Sequence, residues 1–266
     1  MAKTIITVDK LTAHYGEKRV LNNINLDVRS GEILVVMGGS GSGKSTLLNH
    51  MLGLKAPTSG SIVIDGVDIF NAKRQELLQL RKKMGVAFQG GALLSSLTVA
   101  ENVRLPLEHN TTLDAQTIDI MVRMKLELMN MAGTGQLMPS ELSGGMLKRA
   151  GLARAVIMDP KLLFFDEPSA GLDPTTAVEL DELILTLRDA MNMTVVVVTH
   201  ELESVFKIAD RIVVLFDGDV VANGSVEQIK NSTDERIQNL INRQPKTQRD
   251  GGEVYFNRLL NKDKIK

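Results

Sequence analysis

The sequence predicts an α/β fold built on a mostly parallel sheet, for three reasons. Short apolar runs of strand length alternate with helical segments at both ends of the 266-residue chain, and the order strand–helix–strand gives parallel strands joined by crossovers. Residues 32–37 are apolar almost without interruption, which is typical of a strand covered on both faces. Strand patterns are missing from about residue 90 to 159, and this predicts a helical lobe inserted into the sheet domain.

The first third of the chain alternates strands with turns that contain Gly or Asp. Period-two alternation of apolar and polar residues predicts half-buried strands, continuous apolar runs predict buried ones, and an Asp-Gly pair predicts a tight turn. On these grounds we expect strands at residues 24–29, 32–37, 61–66 and 84–89, and a helix at residues 45–54.

The rest of the chain is helical first and alternates again afterwards. The helix expected at residues 114–131 is predicted by apolar residues at helical spacing, which are Ile118, Met121, Val122 and Leu126. We expect helices at residues 114–131, 144–158 and 175–191, and strands at residues 161–166, 194–199 and 211–216.

The composition excludes several classes of function. Thirty-one basic residues against 32 acidic ones give a net charge of −1, and 3% of the residues are aromatic. Proteins that coat nucleic acid normally have a basic excess and aromatic stacking platforms, so we expect no nucleic-acid partner. The sequence has no cysteine, which excludes disulfides, thiolate nucleophiles and Cys-ligated zinc. The longest apolar runs have the length of strands, so no membrane span is expected.

The C-terminal tail differs from the rest and suggests a boundary after residue 243. Residues 244–252 are polar with Pro and Gly punctuation, as in a linker. The short apolar patch that follows has no core of its own, so it either frays or docks on another surface. We therefore expect one domain over residues 1–243, with the helical lobe inserted in it, and an extension over residues 244–266.

Eight consecutive residues fit the phosphate-binding pattern G-x-x-x-x-G-K-[ST], and a ninth, Thr46, completes the loop; the eight are Gly38, Gly39, Ser40, Gly41, Ser42, Gly43, Lys44 and Ser45. The glycines let successive backbone N–H groups curl around a polyphosphate, and the helix that follows adds the positive end of its dipole. Lys44 is expected to contact the β and γ phosphates, and the hydroxyl of Ser45 is expected to bind Mg²⁺.

A second motif is an apolar strand that ends in two carboxylates, Asp166 and Glu167. Asp166 at the tip of the strand is placed to hold Mg²⁺ through water, as the usual partner of a phosphate loop does. Glu167 is the candidate general base, because hydrolysis needs a group that orients and deprotonates the attacking water.

A second glycine-rich helix start lies in the middle of the chain, at Ser143, Gly144 and Gly145. The backbone N–H groups at a helix N-terminus bind anions, so this is a second candidate phosphate site. One nucleotide has one triphosphate. The two phosphate sites of one chain therefore bind different nucleotides, or each nucleotide is shared between two chains.

Together these motifs resemble those of the ATP-binding cassette (ABC) ATPases over nearly the whole chain. The phosphate loop looks like the Walker A motif, Asp166-Glu167 looks like the end of Walker B, and residues 142–146 look like the signature sequence, with Met146 where Gln is more frequent. The resemblance implies a P-loop NTPase fold with a RecA-like, mostly parallel sheet core, an antiparallel β subdomain and an inserted helical subdomain at about residues 90–159.

The same resemblance implies roles for further residues. Tyr15 is similar to the aromatic residue that stacks on adenine, and Gln89 to the glutamine that senses Mg²⁺ and the attacking water. His200 is similar to the switch histidine that contacts the γ phosphate, and residues 169–173 resemble the D-loop at the dimer interface. The family's cofactors are ATP and Mg²⁺.

The resemblance also implies partners. In the family two cassettes pair head to tail, so that ATP lies between the phosphate loop of one chain and the signature helix of the other. ATP binding closes this homodimer, hydrolysis and product release open it, and the motion drives integral membrane permease subunits.

A narrower resemblance is to the Mla-type ATPases, which maintain the lipid asymmetry of the outer membrane. It rests on residues 88–94, 99–107 and 138–146. It implies phospholipid transport between the inner and outer membranes, with a permease, a periplasmic lipid-binding ring protein and a small regulatory subunit. It also implies a peripheral place on the cytoplasmic side of the inner membrane, and docking of the 244–266 extension on the neighbouring cassette. The expected docking residues are Tyr255, Phe256, Leu259 and Leu260.

Three other functions remain open at this stage. One is an importer ATPase for amino acids or other small polar solutes, whose cassette would look much the same. Another is an ABC protein without a membrane partner, although such proteins usually carry two cassettes or long coiled-coil inserts and this chain has one phosphate loop. The last is an assembly ATPase that moves no solute.

Overall fold

The computed structural model describes residues 3–243, which form two β-sheets flanked by helices. The strands are β1 (Thr4–Tyr15), β2 (Lys18–Arg29), β3 (Ile33–Gly38), β4 (Ser59–Ile64), β5 (Val67–Asp68), β6 (Met84–Ala87), β7 (Leu162–Asp166), β8 (Thr194–Thr199), β9 (Arg211–Phe216) and β10 (Asp219–Gly224). The helices are α1 (Lys44–Met51), α2 (Arg74–Lys82), α3 (Val99–Asn110), α4 (Ala115–Leu128), α5 (Gly144–Val156), α6 (Pro174–Met191), α7 (Leu202–Ile208), α8 (Val226–Lys230) and α9 (Glu235–Ile241). The predicted C-terminal extension, residues 244–266, lies outside the described residues.

The larger sheet has six strands in the order β10-β9-β3-β8-β7-β6. Strands β9, β3, β8, β7 and β6 are parallel, and β10 joins the edge antiparallel. Every residue of β3 and β8 is buried, as expected for apolar strands with both faces covered. The predicted parallel sheet is confirmed. Its parallel strands bring their carboxyl ends to one edge, where Met37 pairs with Thr199 and Asp166 with Val198.

The smaller sheet is antiparallel, in the order β2-β1-β4-β5. Strand β1 and the first half of β2 were not predicted, because bulges break their alternation. The pairing of β1 with β2 shifts register between Val8 and Leu11, and Lys10 there has φ 47°. The predicted Asp65-Gly66 turn is confirmed as the two-residue link between β4 and β5, and its positive φ values, 47° and 81°, suit a tight hairpin.

Between β6 and β7 the described chain contains helices and no strand, as predicted. Helices α3, α4 and α5 pack on one another through buried apolar residues such as Val103, Val122 and Leu152, which belong to the same core as the strands of the larger sheet. Among residues 3–243, no helix combines the length and the apolar character needed to cross a membrane.

Side-chain caps and glycines set the helix ends. Ser143 caps α5, and Asp173 caps α6 with Pro174 in its first turn. Several predicted elements were too long. The helices predicted to reach residues 131 and 158 end at Leu128 and Val156. Helix α1 ends at Met51 because Gly53 adopts φ +63° beyond it. Strand β6 ends at Ala87, so Gln89 does not end the strand but lies in the turn that follows.

Candidate active site

The phosphate loop connects buried strand β3 to α1, so its peptide groups are held at the carboxyl edge of the larger sheet. Gly41 and Gly43 have positive φ values of 77° and 104°, which turn the chain sharply before the helix. The ammonium group of Lys44 folds back over the loop and donates to the carbonyl oxygens of Gly38 at 2.9 Å and Gly39 at 3.1 Å. The lysine charge therefore lies inside the cradle.

A side chain at Gly43 would disturb this loop much more than a side chain at Gly41. A Cβ at Gly43 would lie 2.6 Å from Cδ2 of Leu21 and 3.0 Å from the carbonyl oxygen of Val20, whereas a Cβ at Gly41 would meet nothing within 4 Å. We expect Gly43→Ala to lower the free energy of unfolding by about 1–3 kcal/mol more than Gly41→Ala does, through steric contact and backbone strain. Urea unfolding of both variants measures the difference, and equal losses would contradict the close packing of Gly43.

Lys44 of the phosphate loop interacts electrostatically with the two carboxylates at the end of β7. Lys44 is 8% exposed, and burial lowers its pKa, while the charges of Glu167 and Asp166 act in the opposite direction. The lysine and the two acids are thus close enough to affect each other's charge. Two motifs that lie more than a hundred residues apart in the chain form one site.

Asp166 has a buried carboxylate oxygen that lacks a partner. Its Oδ1 makes no hydrogen bond within residues 3–243, and burial together with the charge of Glu167 raises its pKa, which Lys44 partly offsets. A desolvated, unsatisfied acceptor is costly unless a cation or another donor compensates it. The carboxylate oxygens of Asp166 and the hydroxyl of Ser45, which follows Lys44 in the loop, are the hard oxygen ligands that Mg²⁺ prefers. The residues present therefore fit a divalent cation at this point.

Glu167 is held in an uncommon backbone conformation by groups at the end of β8. Its φ is 49°, a region that non-glycine residues rarely occupy outside constrained sites. The hydroxyl of Thr199 donates to Oε2 of Glu167 at 3.0 Å, and Nδ1 of His200 lies 2.9 Å from both carboxylate oxygens. The Glu167 carboxylate is 13% exposed and the His200 ring 54% exposed. A reactant thus has access to the histidine while the carboxylate stays fixed.

The remaining candidate residues lie around this centre. Gln89 is exposed in the turn after β6, at the edge where the parallel strands end. Tyr15 ends β1, its side chain is 47% exposed, and the ammonium group of Lys55 lies 3.3 Å from the centroid of its ring. Lys55 covers one face of the ring, and the opposite face suits stacking on a base.

Ser143, Gly144 and Gly145 are not part of this cluster. They form the start of α5, where Ser143 and Gly144 are exposed and the hydroxyl of Ser143 accepts the N–H of Met146 at 3.3 Å. Within residues 3–243, no hydrogen bond or ion pair links them to the phosphate loop. The two candidate phosphate sites of one chain are therefore not joined by hydrogen bonds or ion pairs within the described residues.

Sequence reasoning missed three residues of the site. Thr199 bonds Glu167, Lys55 covers Tyr15, and Lys148 donates to backbone carbonyls just beyond Glu167. Thr199 could have been found as the polar end of an otherwise apolar strand beside His200. Nothing in the sequence indicates the contacts of the two lysines, because a ring face and backbone carbonyls carry no pattern of their own.

The fold and the site define a nucleotide hydrolase of the P-loop class. A glycine loop with its lysine, a strand-end Asp-Glu pair, a histidine on that pair and a separate glycine-rich helix start are arranged as in an ATP-binding cassette. Comparison with known proteins gives the same class. Residues 21–170 match the family described as "ABC transporter".

Similar proteins extend over most of the chain. It is 43% identical to the intermembrane phospholipid transport system ATP-binding protein MlaF of Haemophilus influenzae over 89% of this chain and 90% of that protein. It is 42% identical to MlaF of Escherichia coli, covering 85% of this chain and 84% of that one. It is 37% identical to a probable ribonucleotide transport ATP-binding protein, mkl, of Mycobacterium leprae, over 89% of this chain and 68% of that protein.

Among solved structures, the dimeric post-hydrolysis state of the ATP-binding cassette MJ0796 bound to ADP and Pi is similar, with a TM-score of 0.77 and 32% identity over 84% of this chain and 99% of that one. The chain belongs to the ABC transporter family. It binds ATP and is an ATP hydrolase of that family. The predicted fold class, family and activity are confirmed.

Proposed function

We propose that the chain is the ATP-binding and hydrolysing subunit of a membrane transporter that moves phospholipid between two membranes. The proposal of a phospholipid substrate rests on the 43% identity to MlaF of Haemophilus influenzae, a phospholipid transport ATP-binding protein, over 89% of the chain. The geometry of the site supports the energy-supplying part of this role, because it gathers the groups that ATP hydrolysis needs.

Nucleotide binding is assigned to the loop and its surroundings. The N–H groups between Gly38 and Thr46 and the ammonium group of Lys44 hold the phosphates, while Tyr15 stacks on the adenine. Mg²⁺, when bound, neutralises charge on the β and γ phosphates. Ser45, Asp166 and Gln89 are the residues that would hold it, and the unpartnered Oδ1 of Asp166 supports this assignment.

Hydrolysis is assigned to Glu167, Gln89 and His200. Glu167 accepts a proton from water as the water oxygen attacks the γ phosphorus and the bond to the β-phosphate oxygen breaks, which yields ADP and inorganic phosphate. His200 contacts the γ phosphate with the face of its ring that is exposed to solvent, and Gln89 orients the water. The bonds of Thr199 and His200 to the Glu167 carboxylate support a base that is fixed before the reaction.

Two copies of the chain are proposed to share each nucleotide. Ser143 and Gly144 are exposed at the start of α5, Gly145 is partly exposed, and within the described residues none of the three is hydrogen-bonded to the phosphate loop of its own chain. A head-to-tail homodimer places that helix start against the ATP of the other copy. The similar cassette MJ0796 is dimeric in its ADP-bound and Pi-bound state. In our proposal residues 244–266 dock on the neighbouring copy and help to hold the pair.

The cassette pair is proposed to work as part of a membrane complex. The cassette pair acts on integral membrane permease subunits from the cytoplasmic side of the inner membrane, to which it binds peripherally. A small regulatory subunit and a periplasmic lipid-binding ring protein belong to the same complex, and no nucleic acid takes part. Residues 1–243 are the ATPase domain, and the helical part at about 90–159 provides the groove for the permease.

Affinity purification of the full chain from native membranes tests the substrate. We expect a hydrophobic permease to co-purify together with bound phospholipid, identified by mass spectrometry. The Lys44→Ala variant, used as a second bait in parallel, separates partners that bind the cassette fold from those that need nucleotide. Recovery of a solute-binding import complex, or of bound nucleosides in place of lipid, would contradict the phospholipid assignment and leave the ATPase assignment intact.

A further inference from the structure

Lys148 makes an unusual set of contacts on the helix that begins with Ser143. Its ammonium group points to the loop that follows Glu167 and donates to three backbone oxygens there. The acceptors are the carbonyls of Pro168 at 2.5 Å, Ala170 at 2.6 Å and Glu167 at 3.4 Å. All three donors of a lysine are used, and all of them act on the peptide segment that carries the candidate base.

The ammonium group of Lys148 is partly buried where it makes these contacts. Burial lowers the pKa of Lys148, and the charge of Glu167 acts against that effect. Within residues 3–243, Lys148 forms no ion pair with a carboxylate. The charge-assisted bonds of Lys148 all go to carbonyl oxygens of one short segment, so together they restrict where that segment can lie.

The loop that Lys148 holds is strained and also anchored from the opposite side. Glu167 has φ 49°, and the buried hydroxyl of Ser169 lies 3.1 Å from that of Ser204 on α7. The Glu167 N–H also donates to the carbonyl of Val198 at 2.8 Å, so the lysine supplies one of several supports for a backbone conformation that a glutamate rarely adopts. A loop released on the Lys148 side would let the Glu167 peptide rotate and move its carboxylate.

We propose that Lys148 is a positioning residue that sets the orientation of Glu167 and links it to the start of α5. Lys148 follows Gly145 by three residues, about one helical turn. In the proposed dimer that start contacts the nucleotide of the other copy. The lysine therefore makes the geometry of the base in one site depend on occupancy of the opposite site. The inference rests on the proposed function.

Removal of Lys148 leaves α5 attached to the rest of the protein. Arg149 on the same helix bonds Glu179 at 2.8 Å, and Arg154 donates to the carbonyl of Ala92 at 2.8 Å. These contacts lie on other elements and do not involve residues 167–170. A Lys148 variant therefore changes the support of the loop without releasing the helix.

The test is ATP hydrolysis by the full chain co-expressed with its membrane subunits, with kcat and KM measured separately and binding of a fluorescent ATP analogue measured at equilibrium. We expect Lys148→Met to lower kcat about ten- to a hundredfold, as misplaced catalytic groups do, with the dissociation constant within about twofold of wild type. Lys148→Arg, which keeps charge and donors, should restore part of kcat. The control is Lys82→Met, because Lys82 also donates to a backbone carbonyl, that of Asn110 at 3.0 Å, and not to residues 167–170.

The possible outcomes separate the inference from the function on which it rests. If wild type hydrolyses ATP and Lys148→Met retains kcat within about twofold, the positioning role is refuted. A loss of nucleotide affinity equal to the loss of kcat also refutes it, because that pattern indicates general damage. If Lys148→Met does not fold, Lys148→Gln, which keeps donors of smaller reach, is held to the same criteria. Absence of ATP hydrolysis by wild type refutes the proposed function itself.

Discussion

Glu167→Gln should retain ATP binding and lose about 10²–10⁴-fold in kcat, the contribution that a general base typically makes. Glutamine keeps the length of the side chain, and its carbonyl oxygen still accepts the hydrogen bond that Thr199 donates to Oε2 in the wild type. It cannot take a proton from water at neutral pH. The variant should therefore bind nucleotide normally and accumulate as an ATP-bound dimer, which analytical ultracentrifugation with and without ATP detects.

The neighbouring Glu201 offers a matched control. Its Oε1 lies 3.6 Å from Nε2 of His200, on the far side of the ring from Glu167. Glu201→Gln makes the same chemical change beside the same histidine and should leave kcat within about twofold of wild type. Unchanged turnover in Glu167→Gln, or an equal loss in both variants, would remove Glu167 as the base.

The parts of the site that sequence alone predicted are those whose chemistry lies in consecutive residues. The phosphate loop needs successive N–H groups and one lysine, so eight neighbouring residues are sufficient to indicate it. The Asp166-Glu167 pair is recognisable because an apolar strand ends there. The roles of Tyr15, Gln89 and His200 came from the family resemblance, since a single residue at the end of a strand has no pattern that distinguishes it.

The features that sequence did not predict depend on contacts between distant segments. His200 and Glu167 are 33 residues apart in the chain and meet because β7 and β8 are parallel neighbours. Lys148 binds backbone carbonyls, which every residue has. In the fold, the buried strands β3 and β8 were predictable from their apolar runs, whereas the bulge at Lys10 in β1 shifts the alternation and concealed a twelve-residue strand.

The contacts constrain the two central side chains to different degrees. Glu167 is bonded to Thr199 and His200, and Lys148 and Ser204 contact the loop behind it. The His200 ring is 54% exposed, whereas the Glu167 carboxylate is 13% exposed. The glutamate therefore has more contacts that fix its position than the histidine has, which is what our proposal of a fixed base requires.

Lys44→Ala should lower the affinity for ATP about ten- to a hundredfold, because it removes charge-assisted hydrogen bonds to the phosphates, each worth about 1.5–3 kcal/mol. In the unliganded chain the ammonium group holds the carbonyls of Gly38 and Gly39 and is the charge that offsets the burial of Asp166. The variant therefore also weakens the loop itself. Equilibrium binding of a fluorescent ATP analogue measures the affinity, and urea unfolding measures the stability.

Two comparisons separate the phosphate contact from a general loss of charge. Lys125→Ala removes a lysine of the helical lobe that pairs with Asp159 and should leave ATP affinity unchanged.

In wild type, burial lowers the pKa of Lys44, so the protonated form that attracts phosphate is lost at a lower pH than for a free lysine. ATP affinity should consequently fall as the pH rises through that pKa, and this alkaline limb should be absent in Lys44→Ala. An alkaline limb that persists in the variant would assign the titration to another group.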